Sequence, residues 1–428
     1  MNFYRRILVL SLILIIPFGL LVAQTVNPTI DSLINLISIE SYKSHFKHLK
    51  TDSTSFKEVT NYLAQSNDHD ACRDYIYKTF RDYFGGNNVY RHDFTVEDYS
   101  GLSNVIAYKE GTYPWKGIVF ISAHYDACNN RGLNDTLNRA PGANDNATGV
   151  AAMLEIARII SKIQTERSVL FTAWDTEEYM YNGYPTGSNQ WYSEYVTLNK
   201  PTDWINIGKG GKINKKNIFA NINFDMFGNP QDTLSGKPLL WVCTGNSSHK
   251  KFAVEYINTF SDYIPEISLK NKGVMIYSDH YTFASRNIPA VMNLESDYEK
   301  DPYFHTANDN IENPDNIDFI FAVNVARGGF AFFLHNIGLS DPVRNIQDQS
   351  SVNISITEKP DCYHVISSNA GDSIQVIDFS GKTVNIKKEG FDYKIYPPKK
   401  GVYFIYPKSV KGHIFKKVLL EKKKSRKK

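Results

Sequence analysis

The chain has 428 residues, 42% apolar and 22% charged, with a formal charge of +3. That length holds one large domain and a smaller appendage, and the composition is that of an ordinary globular protein. The near-neutral balance, with no basic patch interleaved with aromatics in the central region, excludes nucleic acid as the expected partner.

Arg5 and Arg6 precede an apolar run from Ile7 to Val22, followed by Ala23. A basic n-region, a short apolar core and a small cleavage residue read as a secretory signal peptide over residues 1–23, so the expected location is secreted or cell surface. No later segment reads as long and apolar enough to cross a bilayer. The four cysteines form no CxxC pair, which argues against a thiolate zinc site. Export permits disulfides, but the spacing does not pair them.

Helical patterning covers Ile30 to Lys50, Phe56 to Leu63 and Asp70 to Phe84, the last ended by Gly85 and Gly86. Asn104 to Tyr108 reads as a short strand. Gly117 to Ser122 and Ser168 to Trp174 are continuous apolar runs, suited to strands buried on both faces. Between them, Thr148 to Ile160 places Val150, Leu154, Ala157 and Ile160 on one helical face. Asn217 to Phe224, Pro238 to Cys243 and Pro289 to Leu294 read as further strands. Lys250 to Phe260 and Asp315 to Leu334 read as helices. The alternation predicts an α/β fold: a three-layer α/β/α arrangement around a mostly parallel mixed sheet, assigned to residues 24–340. A linker over 341–351 leads to short β segments at 352–421, expected to form a small β-sandwich. The basic run at 422–428 reads as a solvated tail.

Five acidic or histidine-bearing spots fall at the end of an expected strand or in the loop after it, where open α/β sheets build sites. His124 can ligate a metal while Asp126 accepts its second ring N–H, although such a pair also occurs as plain structure. Asp145, in Gly142-Ala-Asn-Asp145-Asn-Ala-Thr-Gly149, taken alone reads as a helix cap. Glu177 and Glu178 are adjacent carboxylates in irregular backbone, either a solvated loop or a metal ligand beside a proton acceptor. Asp225 lies among apolar residues, where a carboxylate needs a partner or a metal. His305 precedes Asp309 ahead of the last helix. Together, two histidines and three carboxylates supply ligands for two divalent ions if one carboxylate bridges, and mixed N/O ligands suit zinc better than calcium or magnesium.

These segments, with Tyr277-Ser-Asp279-His280 and Ile288 to Glu295, resemble the co-catalytic zinc aminopeptidases, including secreted bacterial leucyl aminopeptidases and glutamate carboxypeptidase II relatives. The resemblance runs from about Asn104 to Asn336. It implies two zinc ions per chain. His124 and Asp225 would hold one, Glu178 and His305 the other, and Asp145 would bridge them. It also implies Glu177 as general base and Asp126 as the partner that orients His124. The substrates would be peptides, attacked from the N-terminus by a zinc-activated water, with Glu295 as a candidate wall of the amine pocket. Alternatives within the fold are a glutaminyl cyclase-like single-zinc enzyme and a carboxypeptidase. The link after Glu178 is longer than usual, and Phe304 stands where some relatives carry a Tyr, so Tyr303 or another loop tyrosine would have to supply any phenolic oxyanion donor. The C-terminal segments Gln375 to Val384, Gly401 to Ile405 and Phe415 to Leu420 resemble sorting domains of the Bacteroidetes type IX secretion system, which implies that machinery as a partner.

Overall fold

In the computed structural model, described residues are 26–49, 67–96, 99–128, 140–181, 184–202, 212–339 and seven strands between 354 and 420. The expected signal peptide, the helix expected from Phe56 to Leu63, the expected linker and the basic run at the end all fall outside them. The chain divides into two units, Met1–Pro342 and Val343–Lys428.

In the first unit, Pro28–Ile34 (α1), Ile39–Leu49 (α2) and Asn67–Phe84 (α3) precede the sheet. The continuous helix expected from Ile30 is interrupted at residues 35–38. Asn27 caps α1, its side chain accepting from Thr29 N at 2.9 Å. Gly85, at φ 80°, stops α3 where the sequence places its end. The remaining elements are β1 (Val89–Val96), β2 (Tyr99–Lys109), β3 (Ile118–His124), α4 (Thr148–Ile160), β4 (Ser168–Trp174), the short hairpin β5 (Met180–Tyr181) and β6 (Tyr184–Pro185), α5 (Thr186–Tyr192), β7 (Ile218–Phe224), β8 (Thr233–Leu234), β9 (Lys237–Thr244), α6 (Lys250–Tyr263), β10 (Ser268–Val274), α7 (His280–Ala284), β11 (Ala290–Glu295) and α8 (Phe319–Ile337).

The main sheet runs β1-β2-β4-β3-β7-β11-β9-β10, with β8 added to β9. Its central block, β4-β3-β7-β11, is parallel, while β1, β2 and β9 pair antiparallel to their inner neighbours. All seven residues of both β3 and β4 are buried, as continuous apolar runs require when helices cover both faces. Neighbouring residues show the two layers. Phe171 packs against Phe80, Phe84 and Phe333, from α3 and α8. Leu170, one residue earlier, joins the cluster of Phe120, Trp174, Trp191 and Phe283 on the α5 and α7 side. This is the expected three-layer α/β/α architecture. One expectation needs correction: α8 is long and apolar enough to cross a bilayer by composition, but most of it is buried inside the unit as a core helix. Asp318 caps it, accepting from Ile320 N and Phe321 N at 2.9 and 3.0 Å, so it starts after the expected Asp315.

In the second unit, Ile354–Glu358 (β12), Tyr363–Ser367 (β13), Ile374–Asp378 (β14), Ile386–Glu389 (β15), Asp392–Ile395 (β16), Gly401–Pro407 (β17) and Lys416–Leu420 (β18) pair as two antiparallel sheets. Their orders are β12-β13-β16-β15 and β14-β17-β18.

Candidate metal centre

Because β3, β4, β7 and β11 are parallel, their carboxyl ends share one edge of the sheet. His124 ends β3, Glu177 and Glu178 follow β4 by three and four residues, Asp225 follows β7 directly, and Glu295 ends β11. The turn into α4 carries Asp145 to this edge, and the loop before α8 returns His305. All five proposed metal ligands therefore converge at one edge, although His124 and His305 are 181 positions apart in sequence.

Asp145 sits at the middle. Its Oδ1 lies 3.2 Å from His124 Nε2 and its Oδ2 lies 3.1 Å from His305 Nε2. His124 Nε2 is also 3.4 Å from Asp225 Oδ1, and His305 Nε2 is 3.1 Å from Glu178 Oε2. One carboxylate thus spans two nitrogen–oxygen pairs, one on each side. The side chains of His124, Asp145 and Glu178 are 1%, 6% and 7% exposed, against 10% for Asp225 and 15% for His305.

Backbone hydrogen bonds fix these positions. Asp309 accepts from Asn144 N and Asp145 N at 2.7 and 3.0 Å, clamping the Asp145 turn to the His305 loop. Asn146 donates to the Phe224 carbonyl and accepts from Gly149 N and Met226 N, tying the same turn to the end of β7. Gly149 permits this approach, since a Cβ there would collide with Asn146 Oδ1 and the Phe224 carbonyl. Asp126 accepts from Glu177 N and Glu178 N at 3.1 and 3.0 Å, and its Oδ1 lies 3.4 Å from His124 Nδ1. It therefore orients His124 and the acidic pair together. Thr176, Met226 and His305 are non-glycine residues at φ 57°, 27° and 56°. All three flank or form the site, where over-determined surroundings can hold such sparsely populated backbone.

The electrostatics call for positive charge. Burial raises Glu177 well above the ordinary glutamate range; Asp225, Glu178 and Asp279 add to this, against His124. Burial disfavours the charged form of His305, yet Glu178 and Asp145 overcome it and push its pKa up to about 10. His124 is raised well above its usual value in the same way, burial being outweighed chiefly by Glu177 and Asp225. The carboxylates thus draw protons onto both imidazoles, which is where a metal would put its charge instead. Among the described residues, Glu178 Oε1 is buried without a hydrogen-bond partner. Buried orphan oxygens, two imidazoles and a carboxylate facing both ways fit a pair of divalent cations.

Some residues took other parts than the sequence implied. Glu295 is fully buried, and its oxygens accept from Asn144 Nδ2 at 3.0 Å and Asn229 N at 2.6 Å. It braces the turn and does not wall an amine pocket. Asp175, directly after β4, accepts from Ser103 N at 2.8 Å and Tyr125 Oη at 3.0 Å and lies 2.8 Å from His69 Nε2. Two groups went unassigned at the sequence level. Asp279, fully buried beside the cluster, is raised to about 8, by burial first and then by Asp126 and Asp225, against His124 and Ser188. Cys128 donates its thiol to Glu178 Oε2 at 3.1 Å. No spacing rule points to a single cysteine four residues past a histidine.

Residues 104–325 match peptidase family M28. Aminopeptidase YwaD of Bacillus subtilis is 28% identical over 204 residues, which is 46% of this chain. The match spans only 36% of that relative's own length. Among solved structures, the LapA aminopeptidase of Legionella pneumophila superposes with a TM-score of 0.55 at 18% identity, covering 73% of this chain and 75% of that one. A glutaminyl cyclase of Porphyromonas gingivalis superposes at 0.52 and 18% identity, covering 70% of this chain and 99% of that one. At such identities the two structures speak for the fold alone.

Proposed function

The chain belongs to peptidase family M28, and from that premise we propose that it is a zinc-dependent exopeptidase that removes N-terminal residues from peptides. The observation that carries this reading is the Asp145 carboxylate, with one oxygen toward His124 and the other toward His305. That arrangement supports two ions, one held by His124 and Asp225, the other by Glu178 and His305, with Asp145 common to both. Bound zinc would polarise the scissile carbonyl and lower the pKa of an attacking water.

The chain's own residues do the rest. Glu177 sits beside the cluster with a carboxylate whose proton affinity is raised by burial. With the cations bound, that carboxylate would take a proton from water and return it to the leaving amine. Asp126 keeps both acidic residues and His124 in register through the two backbone N–H groups that it accepts. The buried edge around them excludes bulk water, which strengthens these electrostatic interactions.

The reading is tested with a panel of aminoacyl-nitroanilides, with and without chelator, beside a peptide carrying N-terminal Gln. Zinc-restored release of nitroaniline is expected. Cyclisation of the Gln peptide without nitroaniline release would assign the chain to the single-zinc cyclase reading instead.

We also propose a leader over 1–23 and a sorting role for 352–421, consistent with a secreted or cell-surface protein. The two small antiparallel sheets of the second unit fit a sorting-type module. Deleting 352–421 should hold the enzyme inside the producing cell; unchanged export would remove that assignment.

A further inference from the structure

Cys128 lies four residues beyond His124, on the loop leaving β3, and is buried. Its Sγ, a carboxylate oxygen of Glu178 and a ring nitrogen of His305 lie within 4.8 Å of one another. Ligands of one tetrahedral zinc, bound at roughly 2.0–2.3 Å, stand about 3.3–3.8 Å apart. The 3.1 Å separation of Cys128 Sγ and Glu178 Oε2 is already near that spacing. A second observation points to a ligand here: the Glu178 side chain is 7% exposed, and its Oε1 has no hydrogen-bond partner among the described residues.

We propose that Cys128 supplies a thiolate ligand to the cation held by Glu178 and His305, an inference that rests on the metal-centre reading above. On metal binding, the S–H proton now donated to Glu178 Oε2 leaves to solvent and the sulfur lone pair turns to the ion, since a coordinating thiol is deprotonated outright. The two sites then differ in kind. The His305 site has imidazole, two carboxylates and a sulfur, a full set of protein ligands of the closed type. The His124 site has imidazole and two carboxylates, leaving a position open for water or substrate. Soft sulfur selects zinc over manganese or magnesium at the His305 site. Asp145, Glu178, Asp225 and the thiolate together balance the charge of two divalent cations. Cys72 and Cys243 belong to no such ligand cluster among the described residues.

The test loads the metal-free full chain with Co²⁺ and records its absorption, in the wild type and in Cys128→Ser. A sulfur-to-cobalt charge-transfer band in the near ultraviolet, lost in Cys128→Ser while the weaker visible cobalt bands remain, is the expected result. Competition with a zinc chelator should show one of the two ions held more loosely in Cys128→Ser, by at least about 10–100-fold, the loss typical of removing even an outer hydrogen-bonding partner. Visible cobalt bands without the charge-transfer band in the wild type would overturn the thiolate ligand and leave the metal centre standing. Failure of the wild type to take up cobalt or zinc would overturn both. The wild-type spectrum decides the matter even if the variant does not fold.

Discussion

Glu177→Gln separates proton transfer from metal holding. The substitution keeps the volume of the side chain, and the Glu177 N–H still reaches Asp126 Oδ1 at 3.1 Å. None of the close imidazole–carboxylate contacts of the centre involves the Glu177 side chain, so its metal content should match the wild type. What disappears is the acceptor. A positioned base contributes about 10²–10⁴ in rate, or roughly 3–5 kcal/mol of barrier at 1.36 kcal/mol per decade. The fall should appear in kcat rather than KM, read with an aminoacyl-nitroanilide while zinc is counted in the same sample. The structure adds a second signature for the metal-free protein. Burial, with Asp225, Glu178 and Asp279 nearby, raises the Glu177 pKa in the fold. A raised acid binds its proton more tightly folded than unfolded, so stability is present at low pH and is lost as pH rises above about 4.5, the unfolded value, toward the folded one. Gln has no proton to lose. The metal-free variant should therefore melt above the metal-free wild type at pH 7, with the gap closing toward pH 4. Wild-type turnover, or loss of zinc together with turnover, would refute the separation of roles.

Asp126→Ala frees the backbone of Glu177 and Glu178 and leaves His124 Nδ1 without its carboxylate, so zinc affinity or activity should fall by about 10–100-fold. An unchanged chelator competition curve and unchanged kcat would show that Asp126 orients nothing. Away from the site, burial resists ionisation of Glu155, but hydrogen bonds from His45, Arg158 and Ser41 outweigh it and hold its pKa at about 2. A lowered acid stabilises the fold above about 4.5 and loses that contribution as pH falls toward 2, so Glu155→Gln should cost on the order of 3 kcal/mol at pH 7. Urea melts at pH 7 and pH 3 check this, since a cost that does not shrink at the lower pH would contradict the linkage.

The sequence was most legible where one pattern dominated. α4 and β4 begin and end where the apolar pattern does, because both are buried along nearly their whole length. β1, β10 and α5 were missed for physical reasons. β10 is an edge strand reading Ser-Leu-Lys-Asn-Lys-Gly-Val, half-exposed and polar, and it is a strand because β9 offers it a parallel ladder. α5 carries Gly187, Ser188 and Asn189, poor helix formers, and is anchored by the fully buried Trp191. The meeting of the candidate ligands was legible in part, because His124 and Asp225 close buried apolar runs, while Asp145 and His305 stand beside loop residues whose contacts appear only in three dimensions. The clamp from Asp309 to the Asp145 turn, the bracing by Glu295 and the approach of Cys128 to Glu178 depend on side chains that meet across the fold, and no local spacing encodes them.

Zinc counted per folded chain, after saturation and removal of excess metal, weighs most directly on the bridging carboxylate. The account predicts two ions in the wild type and one in His305→Ala, with the remaining ion lost on adding Asp225→Ala. A single ion in the wild type, indifferent to Asp225→Ala, would contradict a centre built around Asp145.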